Sequence, residues 1–199
     1  MTLSRISTLS AVTAAALAVG LAAASPGFAQ MKSDAMMSDK PVTVGGAPMY
    51  GSKNIIENAT KSKDHTTLVA AVKAAGLVET LQGAGPFTVF APTNAAFDKL
   101  PNGTVDTLLK PANKSKLTSV LTYHVVAGRL SAKDLMEAAK KDGGKHKLKT
   151  VQGEELTVST EGNKVMVWDS KGNRSTITIQ NVFQSNGVIH VIDSVLLPA

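Results

Sequence analysis

The feature that most constrains the fold is an apolar run at the end of the chain, residues 186–198, which one histidine and one aspartate interrupt. The run begins at the turn pair Asn186-Gly187 and ends at Pro198. A run of branched apolar residues after Asn-Gly predicts a strand that is largely buried. A chain that ends inside its own core has an anchored C-terminus, so we expect a sharp domain boundary there.

The pattern along the rest of the chain changes at Gly143-Gly144, from helical to strand-like spacing. Before this point, apolar residues recur at helical spacing, and Ser131 with Asp134 has the spacing of a capping box. One early strand is predicted at residues 87–91, and we expect it to join the same sheet beside the closing strand. The later strands, separated by glycine-containing turns, are predicted at residues 147–151, 156–160, 165–168, 175–179 and 187–195. This order predicts a single α+β domain over residues 50–199.

Two helix starts carry residues that commonly cap helices. Asp64 or Thr66 is predicted to cap a helix that begins just before Leu68. Thr93 or Asn94 is predicted to cap a short helix after the early strand. We interpret the second pair as structural.

The N-terminal region, residues 1–49, is predicted to lie outside the domain. Arg5, an apolar stretch and the small residues up to Ala29 have the three-part layout of a secretory signal peptide, residues 1–29. The stretch is short for a membrane span of about 20 residues. Residues 30–49 mix Ser, Lys, Pro, Gly and Met without periodicity, so a flexible linker is predicted. We therefore expect a protein that is secreted, to the periplasm or the cell exterior, and not embedded in a membrane.

The predicted linker contains four methionines, Met31, Met36, Met37 and Met49. Because thioethers are soft ligands, this segment has two interpretations, a Cu(I)-binding tail or an ordinary low-complexity tail. No histidine or cysteine lies nearby to complete a soft-metal site, which favours the second interpretation.

The chain has a net charge of +6 and contains no cysteine. A domain of about 150 residues buries enough surface to fold without disulfides. Much of the positive charge lies in Lys140-Lys141 and in residues 145–149. Two interpretations are open: a patch that attracts a polyanion, or a solvated edge strand whose lysines block pairing with other chains. No aromatic residue interleaves with these lysines, so a stacking surface for nucleic acid is not predicted.

The order His190, Asp193, Ser194 in the closing strand suggests a hydrolytic triad, but alternation along a strand is against it. Side chains two residues apart share a face, so His190 and Ser194 are expected on one face and Asp193 on the other. His190 is therefore interpreted as a structural hydrogen-bonding residue. The histidines lack the close spacing of metal ligands, and no phosphate-binding loop is present. We predict that the protein is not an enzyme and expect neither a cofactor nor a metal.

Three segments of the chain resemble the motifs of a known family. Residues 87–97 (FTVFAPTNAAF) match its first motif, residues 121–126 (LTYHVV) its central Tyr-His element, and residues 186–193 (NGVIHVID) its second motif. On these matches the chain resembles a secreted bacterial fasciclin domain protein. The resemblance implies a β-wedge of about seven strands packed with several short helices. The structural residues of the motifs are Thr93, Asn94, His190 and Asp193.

The resemblance also implies binding residues. Relatives such as periostin and the fasciclins act in cell adhesion and in organising extracellular matrix. In animal relatives, the Tyr-His element and an Asp-Ile pair before the second motif are proposed integrin contacts. Binding roles are therefore implied for Tyr123-His124 and for Asn181-Val182, which occupies the position of the Asp-Ile pair. Because the carboxylate is absent at Asn181, a bacterial partner is favoured over an integrin.

The sequence thus predicts a secreted, non-enzymatic module for adhesion or for interaction with extracellular matrix. The expected partner is a cell-surface protein, a matrix protein or an anionic polysaccharide, and not nucleic acid, while the oligomeric state stays open. A carrier of an apolar small molecule is an alternative, because a sheet packed against helices can leave an apolar cleft. Copper binding by the methionine tail is a third hypothesis.

Overall fold

The computed structural model describes residues 40–199, in which a strongly curved sheet packs with short helices. The arrangement is α+β, as the sequence predicts. The predicted signal peptide and residues 30–39 of the predicted linker lie outside the described residues. The elements are β1 (Val42–Val44), β2 (Ala47–Met49), α1 (Ile55–Ala59), α2 (Thr66–Ala75), α3 (Val78–Gln82), β3 (Phe87–Pro92), α4 (Asn94–Asp98), α5 (Thr104–Leu109), α6 (Lys114–Tyr123), β4 (Val125–Ala127), α7 (Ala132–Lys141), β5 (Lys145–Lys149), β6 (Glu155–Glu161), β7 (Lys164–Trp168), β8 (Arg174–Gln184) and β9 (Gly187–Ile192), with 3₁₀ turns at Lys63–His65 and Pro111–Asn113.

The main sheet has seven strands in the order β4-β3-β9-β8-β7-β6-β5. β3 and β9 are parallel, in register from Phe87 opposite Gly187 to Pro92 opposite Ile192. The other neighbouring strands of this sheet pair antiparallel. The structure therefore confirms that the early strand lies beside the closing strand. β9, between β3 and β8, is buried along its whole length.

The sheet curves so far that its two edge strands meet at one end. Val126 of β4 forms a bridge with Thr150, which follows β5 directly. The Val151 amide donates to the Val125 carbonyl at 2.8 Å. These contacts bring the sheet close to a barrel and give partners to backbone groups that an open edge would expose.

The sheet separates two hydrophobic cores. The first core packs α1, α2 and α6 against one side of β3, β4 and β9, through residues such as Ile56, Leu68, Leu121 and Ile189. The second core fills the inside of the wedge, where α7 contributes Leu135. Its buried members are Phe90, Tyr123, Val126, Leu135, Leu148, Leu156, Val158, Val165, Val167, Ile177, Ile192 and Leu196. Alternate residues of β3 and β9 reach alternate cores, which explains why these strands are apolar throughout.

The prediction of a flexible linker is wrong for its last part. β1 and β2 form an antiparallel hairpin in which Val42 pairs with Met49. Val44 and Met49 are 1% and 2% exposed and pack in the first core. Strands of three residues are too short to show a period, because each contributes one core side chain. Met49 is thus a core residue and not part of a metal-binding tail.

Side-chain caps fix the starts of several helices. Ser131 and Asp134 form the predicted capping box at the start of α7. Asn54 and Glu57 form a second capping box at α1. Each box satisfies amide groups that the first helical turn leaves without a partner.

Candidate functional site

His190 lies fully buried in β9. Its Nε2–H donates to the Leu130 carbonyl at 2.9 Å, and its Nδ1 accepts from the Asn181 amide at 3.4 Å. The ring stacks on Phe90 with 5.9 Å between centroids. Burial lowers the pKa of His190, so the ring is neutral near pH 7. These contacts give His190 a structural role, in which it connects β9 to β8 and to the segment before α7.

His124 follows α6 directly and is also buried. Its Nδ1–H donates to the Val120 carbonyl at 2.7 Å, and its Nε2 accepts from the Leu196 amide at 3.0 Å. Because one partner only accepts and the other only donates, the neutral tautomer with the proton on Nδ1 satisfies both. Burial lowers the pKa of His124 to about 4. The ring therefore anchors the C-terminal segment to α6.

Tyr123, the other half of the Tyr-His element, is fully buried. Its hydroxyl donates to the Glu155 carbonyl at 3.0 Å and accepts from the Ser170 amide at 2.9 Å. Burial raises the pKa of this hydroxyl. The expectation that Tyr123 and His124 form a direct contact site is corrected here, because their side chains lie in the core and not on the surface.

Asn181 and Val182 lie at an irregularity of β8, where the register to β9 shifts between Ile179 and Val182. Asn181 has a left-handed backbone, with φ 60°, which asparagine tolerates better than most residues. Its Oδ1 accepts from the Ala132 amide at 2.7 Å, at the start of α7. Val182 is buried in the first core. Asn181 therefore connects the start of α7 to β8, and Val182 packs β8 against the helices of the first core.

Thr93 and Asn94 cap two different helices. Thr93 Oγ1 accepts from the Ala96 amide at 3.2 Å and caps α4, as predicted. Asn94 Oδ1 accepts from the Thr67 amide at 3.0 Å and satisfies the start of α2. The prediction that a residue beside α2 caps it is wrong, because this acceptor comes from a residue far along the chain and local sequence cannot indicate it.

Asp193 and Ser194 follow β9, so strand alternation does not apply to them. Contrary to the expectation of opposite faces, the Ser194 hydroxyl donates to Asp193 Oδ1 at 3.2 Å. The same oxygen accepts from the Thr176 amide at 2.9 Å and the Ser175 hydroxyl at 3.1 Å. Desolvation opposes ionisation, but these hydrogen bonds and nearby Lys99 lower the pKa of Asp193. A hydrolytic triad is still not formed, because both ring nitrogens of His190 are bonded to backbone groups outside the pair Asp193-Ser194.

An apolar cavity of about 30 Å³ lies in the first core, and His65 forms part of its wall. The Nδ1 of His65 is bonded to the Ser62 hydroxyl at 2.9 Å, whereas its buried Nε2 has no hydrogen-bond partner among residues 40–199. Burial lowers the pKa of His65, although the nearby Ala91 carbonyl opposes this shift. The other walls are mostly aliphatic: Met49, Leu68, Val72, Leu81, Leu121 and Ile189 among them. The cavity is therefore an almost wholly apolar space within the first core.

The outward side of strands β5–β8 brings the predicted basic segment at residues 145–149 together with Trp168 and Arg174, which sequence reasoning did not connect with it. Cross-strand pairing places Lys147, Thr157, Trp168 and Arg174 in one row across the four strands. Lys145 lies in the next row, with its Nζ 6.0 Å from the centroid of the Trp168 ring. We name this surface the outer sheet face and define it by Lys145, Lys147, Lys149, Glu155, Thr157, Glu161, Lys164, Trp168, Arg174, Thr176 and Thr178.

No aromatic residue interleaves with these lysines along the chain, but strand pairing places one aromatic residue, Trp168, beside Lys145. Trp168 is remote from residues 145–149 in the sequence, and only the pairing of β5, β6 and β7 brings it beside Lys145. One signal was available in the sequence. Lys145, Lys147 and Lys149 recur with the period of two that puts side chains on one face of a strand.

The nearly closed wedge, with its parallel pair of motif strands and its helical layer, defines the fold class. The chain belongs to the fasciclin domain family, whose family model matches residues 63–198. Among solved structures it is similar to the FAS1 domain pair of the insect cell adhesion molecule fasciclin I, with a TM-score of 0.66 and 19% identity. That match covers 73% of this chain and 51% of the pair, so the chain spans about half of that structure.

Several bacterial proteins are similar to the chain in sequence. Protein sll1483 of Synechocystis is 45% identical over 161 residues, which cover 81% of this chain and 82% of that protein. Immunogenic protein MPB70 of Mycobacterium bovis is 41% identical over 145 residues, covering 70% of this chain and 66% of its own length. Cell surface glycolipoprotein MPB83 of the same species is 43% identical over 122 residues, covering 61% and 48%. Within residues 40–199, no helix is long and apolar enough to cross a membrane.

Proposed function

We propose that this chain is an exported, non-enzymatic module that binds at a cell surface or in the surrounding matrix. The observation that carries the proposal is the contrast between the buried motif residues and the exposed outer sheet face. The motif residues are committed to internal hydrogen bonds, while the outer sheet face presents a polar and cationic surface to solvent. The family supports adhesion as the general activity, and the cell-surface relative supports the location.

The two histidines of the motifs support binding over catalysis. A general base needs a ring nitrogen that is free to take a proton from a substrate. His124 and His190 each use both ring nitrogens within the core. Removing either contact to free a nitrogen would leave a buried group of the fold unsatisfied, at a cost of about 1–3 kcal/mol.

The test is retention of intact host cells on beads that carry the purified protein. We expect saturable retention that soluble protein inhibits in competition. Beads that carry the same protein after thermal unfolding are the matched control, since they keep its charge and lose its surface. Absence of saturable retention, or equal retention by the unfolded protein, would overturn the proposal.

A second candidate function is the carriage of a small apolar molecule, which the cavity beside His65 favours. The volume of about 30 Å³ admits a small group, and a larger ligand would require α1 or α2 to move. The aliphatic walls favour a ligand without charged groups. This candidate predicts a bound molecule in protein purified from its own host.

Native mass spectrometry of that protein tests the second candidate. We expect an added mass that solvent extraction removes. In Val72→Ile, one more methylene in the cavity wall should reduce the bound fraction while the fold is kept. An unliganded mass for the native protein would rule the candidate out.

A further inference from the structure

We infer that the outer sheet face binds an anionic polysaccharide, one that carries carboxylate or sulfate groups on its sugars. The inference rests on the proposed function, since it names the surface and the partner of that binding module. Cations outnumber anions on the face. The cations are Lys145, Lys147, Lys149, Lys164 and Arg174, and the anions are Glu155 and Glu161. This imbalance attracts a polyanion at ordinary ionic strength.

The cations are spread over the face, with three along β5 and one each on β7 and β8. Along β5, Lys145, Lys147 and Lys149 stand two residues apart on one face, at intervals of about 7 Å. Across the sheet, Lys147 and Arg174 end one row of paired residues on strands about 4.8 Å apart, which separates them by about 14 Å. The regular spacing along β5, with a further cation across the sheet, suits a polymer whose charges also repeat.

Protection of the sheet edge explains only part of this pattern. Lysines on an edge strand discourage pairing with another chain, and β5 is an edge strand. Lys164 and Arg174 lie on β7 and β8, which are interior strands of the sheet and not its edge strands. Lys147 does pair with Glu155 at 2.9 Å, but both side chains are more than half exposed. An ion pair this exposed is weak, so a polymer carboxylate can replace Glu155.

Trp168 supplies an aromatic ring on which a sugar can stack. The ring is half-buried, and its Nε1–H donates to Ser159 Oγ at 2.8 Å, which fixes its orientation. The Lys145 ammonium lies over the ring, from where its flexible stem lets it move onto an acidic group of a bound sugar, and Thr157 lies at the paired position of β6. An indole held in this way offers an apolar surface for the C–H face of a sugar ring, while neighbouring cations pair with its acidic groups.

A nucleic acid fits this surface less well. Proteins that bind single strands stack successive bases on several aromatic side chains. The outer sheet face has one aromatic ring, Trp168, in the part of the chain that the structure describes. A polysaccharide needs only occasional stacking, so it is the partner that the face favours, and DNA is included in the test.

Trp168 makes the test direct, because it is the single tryptophan of the chain and its fluorescence reports on this face alone. The purified protein is titrated with alginate, heparin, uncharged dextran and single-stranded DNA. We expect a saturable change in fluorescence with alginate or heparin, no change with dextran, and weaker binding to DNA. Raising the salt from about 0.05 to 0.3 M should weaken polysaccharide binding several-fold, since the Debye length shortens.

Two variants of equal charge locate the binding. The triple variant Lys145→Gln, Lys147→Gln, Arg174→Gln should bind alginate or heparin about tenfold more weakly, because it removes three of the five cations of the face. The matched control Lys73→Gln, Lys114→Gln, Lys116→Gln removes exposed charges from α2 and α6 and should stay within about twofold of the native protein. Circular dichroism checks that both variants are folded.

Equal loss of affinity in the two triple variants would overturn the inference, as would binding of dextran or tighter binding of DNA. Retention of host cells separates this inference from the proposed function. If the protein retains cells and the face variant does so equally, the inference fails and the proposed function stands. If polysaccharide binding depends on the face but cells are not retained, the proposed function fails and the surface assignment stands.

Discussion

The central strands β3 and β9 and the outer strands β5–β7 are parts of one sheet with opposite environments. β9 is buried on both faces, and each of its side chains packs in a core or bonds within it. In β5, only Leu148 is fully buried, and three lysines are exposed. The central strands carry the family motifs, and the outer strands carry none. The residues that identify the fold are thus remote from the surface that we propose for binding.

It follows that residues of a family motif need not be the residues that contact a partner. Tyr123, His124 and His190 are distinctive because each satisfies backbone groups that no other local partner reaches. Substituting any of them removes a buried hydrogen bond as well as packing. A loss of binding in such a variant would therefore report a loss of structure.

The largest effect is expected from Gly187→Ala in β9. A Cβ atom at this position would clash with the Phe87 carbonyl of the paired strand β3 and crowd the Ile55 side chain, and the β3 backbone is held in place by the sheet. We expect the free energy of unfolding to fall by about 4 kcal/mol, measured by urea denaturation. Gly162→Ala, in an outer turn with open space and φ 60°, is the control and should cost about 1 kcal/mol. If both variants lowered the free energy of unfolding equally, the contrast between the central and the outer strands would be contradicted.

The pH dependence of stability should come from the buried centre. His124 titrates with a pKa of about 4 when folded and near 6.5 when unfolded, so the unfolded state binds more protons between these values. Stability is full above pH 6.5 and falls as the pH drops toward 4. We expect a loss of about 2.5 kcal/mol from His124 between pH 7.5 and 4.5.

His65 and His190, whose pKa values are also lowered, act in the same direction. Urea denaturation at several pH values measures the combined effect. In His124→Gln the pH dependence should be smaller by the contribution of that ring. An unchanged dependence in this variant would mean that His124 is not the neutral, bonded group described.

A moderate effect is expected at Asn181, where the central and outer regions meet. Asn181→Ala removes the acceptor for the Ala132 amide and places alanine at φ 60°, so stability should fall by about 2 kcal/mol. Asn181→Asp keeps the acceptor and adds a negative charge at the start of α7, which should leave stability within about 0.5 kcal/mol. Thermal unfolding compares the two. A similar loss in both would show that the hydrogen bond is not the stabilising feature.

The smallest effect on stability is expected on the outer sheet face. Lys147→Gln breaks an ion pair with Glu155 in which the lysine side chain is 71% exposed. The free energy of unfolding should change by less than about 0.5 kcal/mol, measured in the same urea experiment. A loss above 1 kcal/mol would show that this face stabilises the domain and would weaken its assignment as a binding surface.

Much of the fold could be predicted because its signals are local. The apolar run at residues 187–192, the strands after Gly144 and the capping box at Ser131 each depend on neighbours in the sequence. The hairpin at residues 42–49 could not be predicted, since its two strands are too short for a period to show. Nor could the cap that Asn94 gives to α2, because the two segments meet only after the chain has folded.

The α+β class, the family, and the neighbouring positions of the first and last motif strands could be inferred from the sequence alone. The reason is that apolar periodicity and motifs depend on residues that are close together in the chain. Only the tertiary structure decided which polar residues are buried and which are neighbours. It placed Tyr123 and His124 in the core and brought Trp168 beside Lys145, since side chains distant in sequence become adjacent through strand pairing and register.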